Sequence, residues 1–286
     1  NGSPEVARVQ RIDADGNHLW GPEGVLALEA TPGFTGDHVS GTVDPAGGLI
    51  LSAHVERSDG STALRVQWLD PSGSRRFALS GLDPAPAISN DQTNSRIAPW
   101  SDGTAAVVWQ DGLFASAEIL MQRIAPDGSL EFGTSGTNVS GEFATAQRYP
   151  DLAITSDGYA AVAWEDFRDD GEFGIDAYTQ SIAPDGTSRW PSGGVLTGLG
   201  DLDDTRPRIV ASSHGGILVV TEYAVGTGSE TDLVLQRVRP DGQRGLSMTV
   251  CSAENRQDLG GPRSVVADGH GGIILAWDDQ RNDGFQ

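Results

Sequence analysis

Lysine is absent from this chain of 286 residues: all 19 basic residues are arginine, against 40 acidic ones, for a formal net charge of −21. So acidic a surface repels nucleic-acid phosphates and anionic lipid, which argues against nucleic-acid partners and membrane-surface roles. Cysteine occurs once, at Cys251, which excludes an internal disulfide framework and a cysteine-based zinc cluster; its expected place is as a small buried hydrophobe. No stretch approaches the roughly 18 apolar residues of a membrane span, so no membrane insertion is expected. No charged-then-apolar leader stands at Asn1, which leaves a cytosolic protein or a mature form whose signal has been removed. Helix-rich regions are missing too, and the 38 glycines and 15 prolines suggest many short elements joined by tight turns.

What is present is a repeat. Val9-Gln10-Arg11-Ile12, Val66-Gln67-Trp68-Leu69, Met121-Gln122-Arg123-Ile124, Thr179-Gln180-Ser181-Ile182 and Leu235-Gln236-Arg237-Val238 each precede a turn containing glycine, three of them Pro-Asp-Gly. The shared glutamines are separated by 57, 55, 58 and 56 residues, a period that signals a stacked or circular array. Upstream of each lies a hairpin, as in Ile97 to Asp111 or Leu152 to Asp166, whose second strand is a continuous apolar run such as Ala105 to Trp109. Runs of this kind fit strands covered on both faces. Downstream, the turn leads to a shorter outer strand that often ends in an aromatic, at Trp20, Phe77, Phe132 and Trp190.

Four strands per unit make a propeller blade. A fifth of the chain is 57.2 residues, the spacing of the glutamines; the last copy stops after two strands and the first begins at a third. The expectation is therefore an all-β, five-bladed β-propeller of four-stranded antiparallel blades. It would form one domain over residues 1–286, with blades at approximately 37–90, 91–147, 148–203, 204–258 and 259–286 plus 1–36, the seam blade being completed by the N- and C-terminal segments.

The order Trp-x-Asp-x-Arg, then Gln-Arg-Ile, then Asp-Gly-x-x-x-Trp resembles uncharacterised propeller-like repeats of secreted bacterial proteins. It reads Trp164-Glu165-Asp166-Phe167-Arg168 and Trp277-Asp278-Asp279-Gln280-Arg281, with departures at Gly112 to Leu113 and at Ala224 to Val225. The resemblance implies a propeller and an extracellular or cell-surface location, and no substrate.

Trp109, Trp164 and Trp277, with Asp111, Asp166 and Asp279 two residues on, recur at one point of the repeat. A catalytic group is needed once, whereas a residue that fixes a turn is needed in every blade, so these read as structural positions. Asp166, Asp169, Asp170, Glu172 and Asp176 make the densest acidic cluster, an oxygen-rich loop of the kind that can hold Ca²⁺, but without EF-hand spacing. The histidines, at 18, 38, 54, 214 and 270, lack zinc-ligand spacing and read as turn residues. No cofactor is expected, Ca²⁺ at that loop being the one considered. For acid–base chemistry the best-placed carboxylates are Asp37, Asp151 and Asp204, near the starts of inner strands. Aligned by the turns, Ser40, Arg96, Asp151, Arg208 and Ser264 share one position, whose mixed identity leaves a ligand site open.

With no catalytic motif above the repeat, the expected function is non-enzymatic: a secreted structural or surface-display propeller, self-assembling through completion of the seam blade. The alternatives are a lectin-like propeller, with an extracellular glycan in place of self as partner, and a five-bladed glycoside hydrolase.

Overall fold

The computed structural model describes residues 5–30, 32–113, 116–168, 174–199, 202–226, 230–261 and 263–280, except for the side chains of 36–38. Among the described residues there are only strands, turns and connecting segments, and no helix long and apolar enough to cross a membrane. Three sheets have four antiparallel strands in chain order. They are β6 (Gln92–Pro99), β7 (Ala105–Asp111), β8 (Glu118–Ile124) and β9 (Thr137–Asn138); β10 (Gln147–Ile154), β11 (Ala160–Asp166), β12 (Asp176–Ile182) and β13 (Val195–Leu196); and β14 (Asp204–Ala211), β15 (Ile217–Ala224), β16 (Thr231–Val238) and β17 (Arg244–Cys251). β3 (Phe34–Val43), β4 (Leu49–Glu56) and β5 (Thr62–Leu69) make a three-stranded sheet. β1 (Glu5–Val9) pairs with β2 (Val25–Ala30), β18 (Gln257–Leu259) with β21 (Trp277–Asp279), and β19 (Val265–Ala267) with β20 (Ile273–Leu275).

Two compact units result, residues 1–112 with 120–137 and residues 113–119 with 138–286. In the first, Leu51 and Ala53 of β4 join Trp20, Ala27 and Leu28 in one cluster, while Ile50 of β4 joins Val66, Trp68, Val107 and Trp109 in another. The second unit repeats the arrangement: Ile217 and Val219 of β15 pack with Ala161, Ala163 and Trp190, and Leu218 and Val220 with Leu233, Leu235 and Leu259. Side chains alternate across a strand, so a second strand placed between two neighbours is apolar on both faces over most of its length, polar residues entering only at its end. That is the physical source of the continuous runs, and β7 and β11 are buried along their whole length.

The repeated glutamine is a clip. Gln122 Oε1 accepts the amides of Arg123 (3.1 Å) and Phe132 (2.8 Å), while its Nε2 donates to the carbonyls of Pro84 (3.0 Å) and Gly133 (2.7 Å). Gln67 and Gln180 do the same to Phe77 and Trp190 and to the carbonyls of Ala78 and Pro191, and Gln10 to Trp20 and Gly21. A primary amide both donates and accepts, so one side chain ties the third strand to the short outer segment where few ladder bonds are available. The outer aromatics cap the next sheet: Trp20 lies over Gly73, Phe77 over Gly128 and Trp190 over Gly242, each glycine closing a turn. The turns are held by carboxylates that accept amides two residues on, as Asp127 does from Ser129 (2.9 Å) and Asp241 from Gln243 (3.0 Å).

Candidate functional site

In two of its three copies the recurrent Trp-x-Asp forms a hydrogen-bonded pair. Residues i and i+2 of a strand share a face, so Trp109 Nε1 donates to Asp111 (3.2 Å) and Trp164 Nε1 to Asp166 (2.8 Å). Burial pushes the Asp111 carboxyl up. Asp166 also takes the Arg168 guanidinium, which lies between the rings of Phe143 and Tyr178. In the last copy Trp277 is only half-buried and its Nε1 meets no partner among the described residues; Asp279 is exposed. Of the acidic cluster, Asp169, Asp170 and Glu172 lie outside the described residues, Asp166 is engaged as above and Asp176 is buried at the start of β12. Among the described residues no three His, Cys, Asp or Glu groups gather as metal ligands do.

Two of the three carboxylates expected to do acid–base work are taken up by donors of the fold itself. Asp151 is buried and accepts the Ile209 amide (3.0 Å). Asp204 is fully buried and takes the Leu199 amide (2.7 Å) and the Thr221 hydroxyl (2.8 Å). Asp37 falls in β3, with its side chain outside the described residues. Of the mixed set Ser40, Arg96, Asp151, Arg208 and Ser264, Arg208 lines a cleft, an open depression of about 400 Å³ in the second unit, bounded by Arg206, Arg208, Arg256, Asp258, Leu259, Gly260 and Asp278.

A bulge builds this cleft. β14 loses register between Thr205 and Arg208, and Arg206 there takes a left-handed φ of 49°. β6 and β10 carry the same irregularity at Asn94 (53°) and Tyr149 (53°). A non-glycine residue in that region is strained by about 1–2 kcal/mol, and the bonds that hold Arg206 are visible. Its amide donates to Glu165 Oε1 (2.8 Å), and its Nη1 reaches both Glu222 (3.3 Å) and Asp258 (3.2 Å). Arg256 Nε adds a 2.6 Å bond to Asp258, and Gln280 a further one at 3.3 Å. Behind these, Glu222 accepts the Leu259 amide (2.6 Å) and is 1% exposed. Burial is the main cause that pushes the carboxyls of both Glu165 and Glu222 up, against the opposing pull of Arg206.

The floor of the cleft sits where the repeat is least regular. The facing pair that joins first to second strand at this register reads Thr93–Gln110, Arg148–Glu165, Thr205–Glu222 and, in β18 and β21, Asp258–Asp278. Only the last sets two carboxylates opposite each other. Like charges directly opposite on a ladder are destabilising, and Arg206 and Arg256 offset that through Asp258, leaving Asp278 exposed at the cleft wall. Sequence reasoning missed this pair because it weighed the regular residue of Trp-x-Asp; the signal was the x, which reads Gln110, Glu165, Asp278 and, in the copy without tryptophan, Glu222.

No family model matches the chain, and neither does any curated protein. Its fold is that of solved β-propeller structures. An α-L-arabinofuranosidase of Fusarium graminearum in complex with an iminosugar inhibitor is 11% identical, with a TM-score of 0.58 over 95% of this chain and 78% of that one. An α-L-arabinanase of Penicillium chrysogenum complexed with arabinobiose is 14% identical, with a TM-score of 0.51 over 88% and 74%. A polysaccharide lyase, an ulvan lyase bound to a glucuronate–sulfated rhamnose repeat, is 11% identical, with a TM-score of 0.51 over 77% and 59%. These likenesses correct two expectations. The non-enzymatic display role with self as partner, and the reading that the chain is not an enzyme, find no counterpart among such neighbours, which are glycan-acting enzymes; the alternatives set beside them fit better.

Proposed function

We propose that this chain acts on glycans, taking a sugar into the cleft of Arg206, Arg208, Arg256, Asp258 and Asp278. The facing Asp258–Asp278 pair carries the reading. Directly opposed residues of an antiparallel ladder hold their Cβ atoms about 4.5–5.5 Å apart, which brings two carboxyl groups within the range that glycosidic-bond cleavage uses. Asp278, which no other side chain engages among the described residues, meets the scissile bond. Asp258, fixed by Arg206 and Arg256, stabilises the positive charge that develops on the sugar ring. The glycan-acting neighbours support this, and an extracellular site of action accords with it. With it goes the finer architecture of the repeat arithmetic, five blades in one domain over residues 1–286 with the seam blade shared by the two ends.

A binding-only propeller is the second reading, favoured by the ion pairs that occupy Asp258. Chromatography of products after incubation with arabinan and with uronate-containing and sulfated polysaccharides decides between the two. Cleavage that falls at least a hundredfold in Asp278→Asn, with fold unchanged, supports the enzyme. Binding by calorimetry without products supports the lectin-like reading, and neither binding nor cleavage defeats both.

A further inference from the structure

Arg208 is 8% exposed, yet no carboxylate stands within ion-pair distance of it among the described residues. Its guanidinium meets two acceptors, the carbonyls of Pro207 (3.1 Å) and Gly260 (3.1 Å), and its Nε meets none. A buried cation without a counter-ion is costly, and one that opens on a cleft is offset when an anion enters. The two flanking cations differ, since Arg206 and Arg256 are already shared with Glu222 and Asp258. In a chain with more than twice as many acidic as basic residues, the lining of this depression sets three arginines against two aspartates, and two of the arginines are already engaged by carboxylates, which leaves the Arg208 charge to meet an incoming anion. Charges beyond a Debye length of about 8 Å are largely screened at physiological salt, so the distant carboxylates behind the net charge of −21 do little to repel that anion.

We infer that the glycan carries an anionic substituent, a carboxylate or a sulfate ester, and that Arg208 receives it. Guanidinium presents a planar fork matched to either oxyanion. The inference rests on the glycan reading of the same cleft and deepens it by naming the substrate class. No bond is made or broken in this step: Arg208 supplies charge and donors, which orient the sugar over Asp258 and Asp278.

The test is calorimetric binding of three probes to the whole chain, namely oligogalacturonate, dextran sulfate oligomers and neutral arabino-oligosaccharide, at low and high salt, for the native protein, Arg208→Gln and Arg208→Lys. The expected result is that at least one acidic probe binds more tightly than the neutral one and weakens with salt. Arg208→Gln then loses about ten- to hundredfold and Arg208→Lys recovers part of the loss. Oligogalacturonate alone identifies a carboxylate, dextran sulfate alone a sulfate ester. Neutral probe binding at least as tightly as both acidic ones, or acidic binding unchanged in Arg208→Gln, overturns the inference and leaves the glycan reading standing. No binding of any probe overturns both. Replacing a buried unpaired cation by a neutral amide removes a desolvation cost, so Arg208→Gln is expected to fold, and circular dichroism of that variant accompanies the titrations.

Discussion

The indole of Trp190 lies against Gly242 of the following sheet, and its Nε1 donates to the Pro240 carbonyl at 3.0 Å. A Cβ at position 242 would stand 2.8 Å from Trp190 Cδ1, in a residue whose φ is +82°. The Pro-Asp-Gly turn thus needs its glycine twice, for the left-handed backbone and for the ring that rests on it.

Removing that ring takes away a buried aromatic and orphans a carbonyl. Trp190→Ala is expected to cost about 3–5 kcal/mol and Gly242→Ala about 1–2 kcal/mol from backbone strain alone, with more from displacing the indole. Urea denaturation of both single variants and the double variant checks this. The double variant should be less destabilised than the sum, because the clash vanishes with the ring; strict additivity would show that ring and glycine are not coupled.

The glutamine clip makes a sharper demand, since both ends of the amide are in use. Gln122→Leu leaves the Phe132 amide and the Gly133 carbonyl without their partner and is expected to cost about 1–3 kcal/mol for each group that water cannot reach. Gln122→Glu keeps the acceptor and loses the donor, so at neutral pH it should also be destabilising, with a carboxylate facing carbonyl oxygens. Thermal unfolding of the two variants reads the effect, and an unchanged midpoint in both would remove the glutamine from the structural account.

Glu165 and Glu222 set a pH dependence. Their folded carboxyls are raised above the ordinary 4.5, chiefly by burial, so between that value and the raised one the folded state holds more protons than the unfolded chain. Stability from these two groups is present below the ordinary value and is lost as pH rises through the folded values. Glu165→Gln, whose amide oxygen still accepts the Arg206 amide, should flatten the fall in urea midpoint between mildly acid and neutral pH. An identical slope in variant and native protein would sink the assignment.

Much of the scaffold was legible because it is periodic. The glutamine spacing gave the unit and its strand order, and the apolar runs at Ala105 to Trp109 and Ala160 to Trp164 became the buried second strands β7 and β11. Asp151 and Asp204 stood out by their place near strand starts, yet both accept backbone or hydroxyl donors. Asp151 stands just after the β10 bulge and Asp204 just before the β14 one, and no local pattern announces either irregularity. Arg208 was in view as part of a mixed position, but its lack of a counter-ion among the described residues is a property of tertiary packing. The Asp258–Asp278 pair joins residues on strands that are not consecutive, β18 and β21, so it emerges only when the register is known.

The variable ladder pair also bears on how such a protein changes. Thr93–Gln110, Arg148–Glu165, Thr205–Glu222 and Asp258–Asp278 belong to none of the four apolar clusters described above. Each of these four repeats therefore offers an interchangeable socket, two positions wide, in which chemistry is rewritten while the packing beside it stays fixed. A duplicated unit can diverge at its socket while its neighbours keep the older residues, so the array accommodates one specialised copy among plain ones.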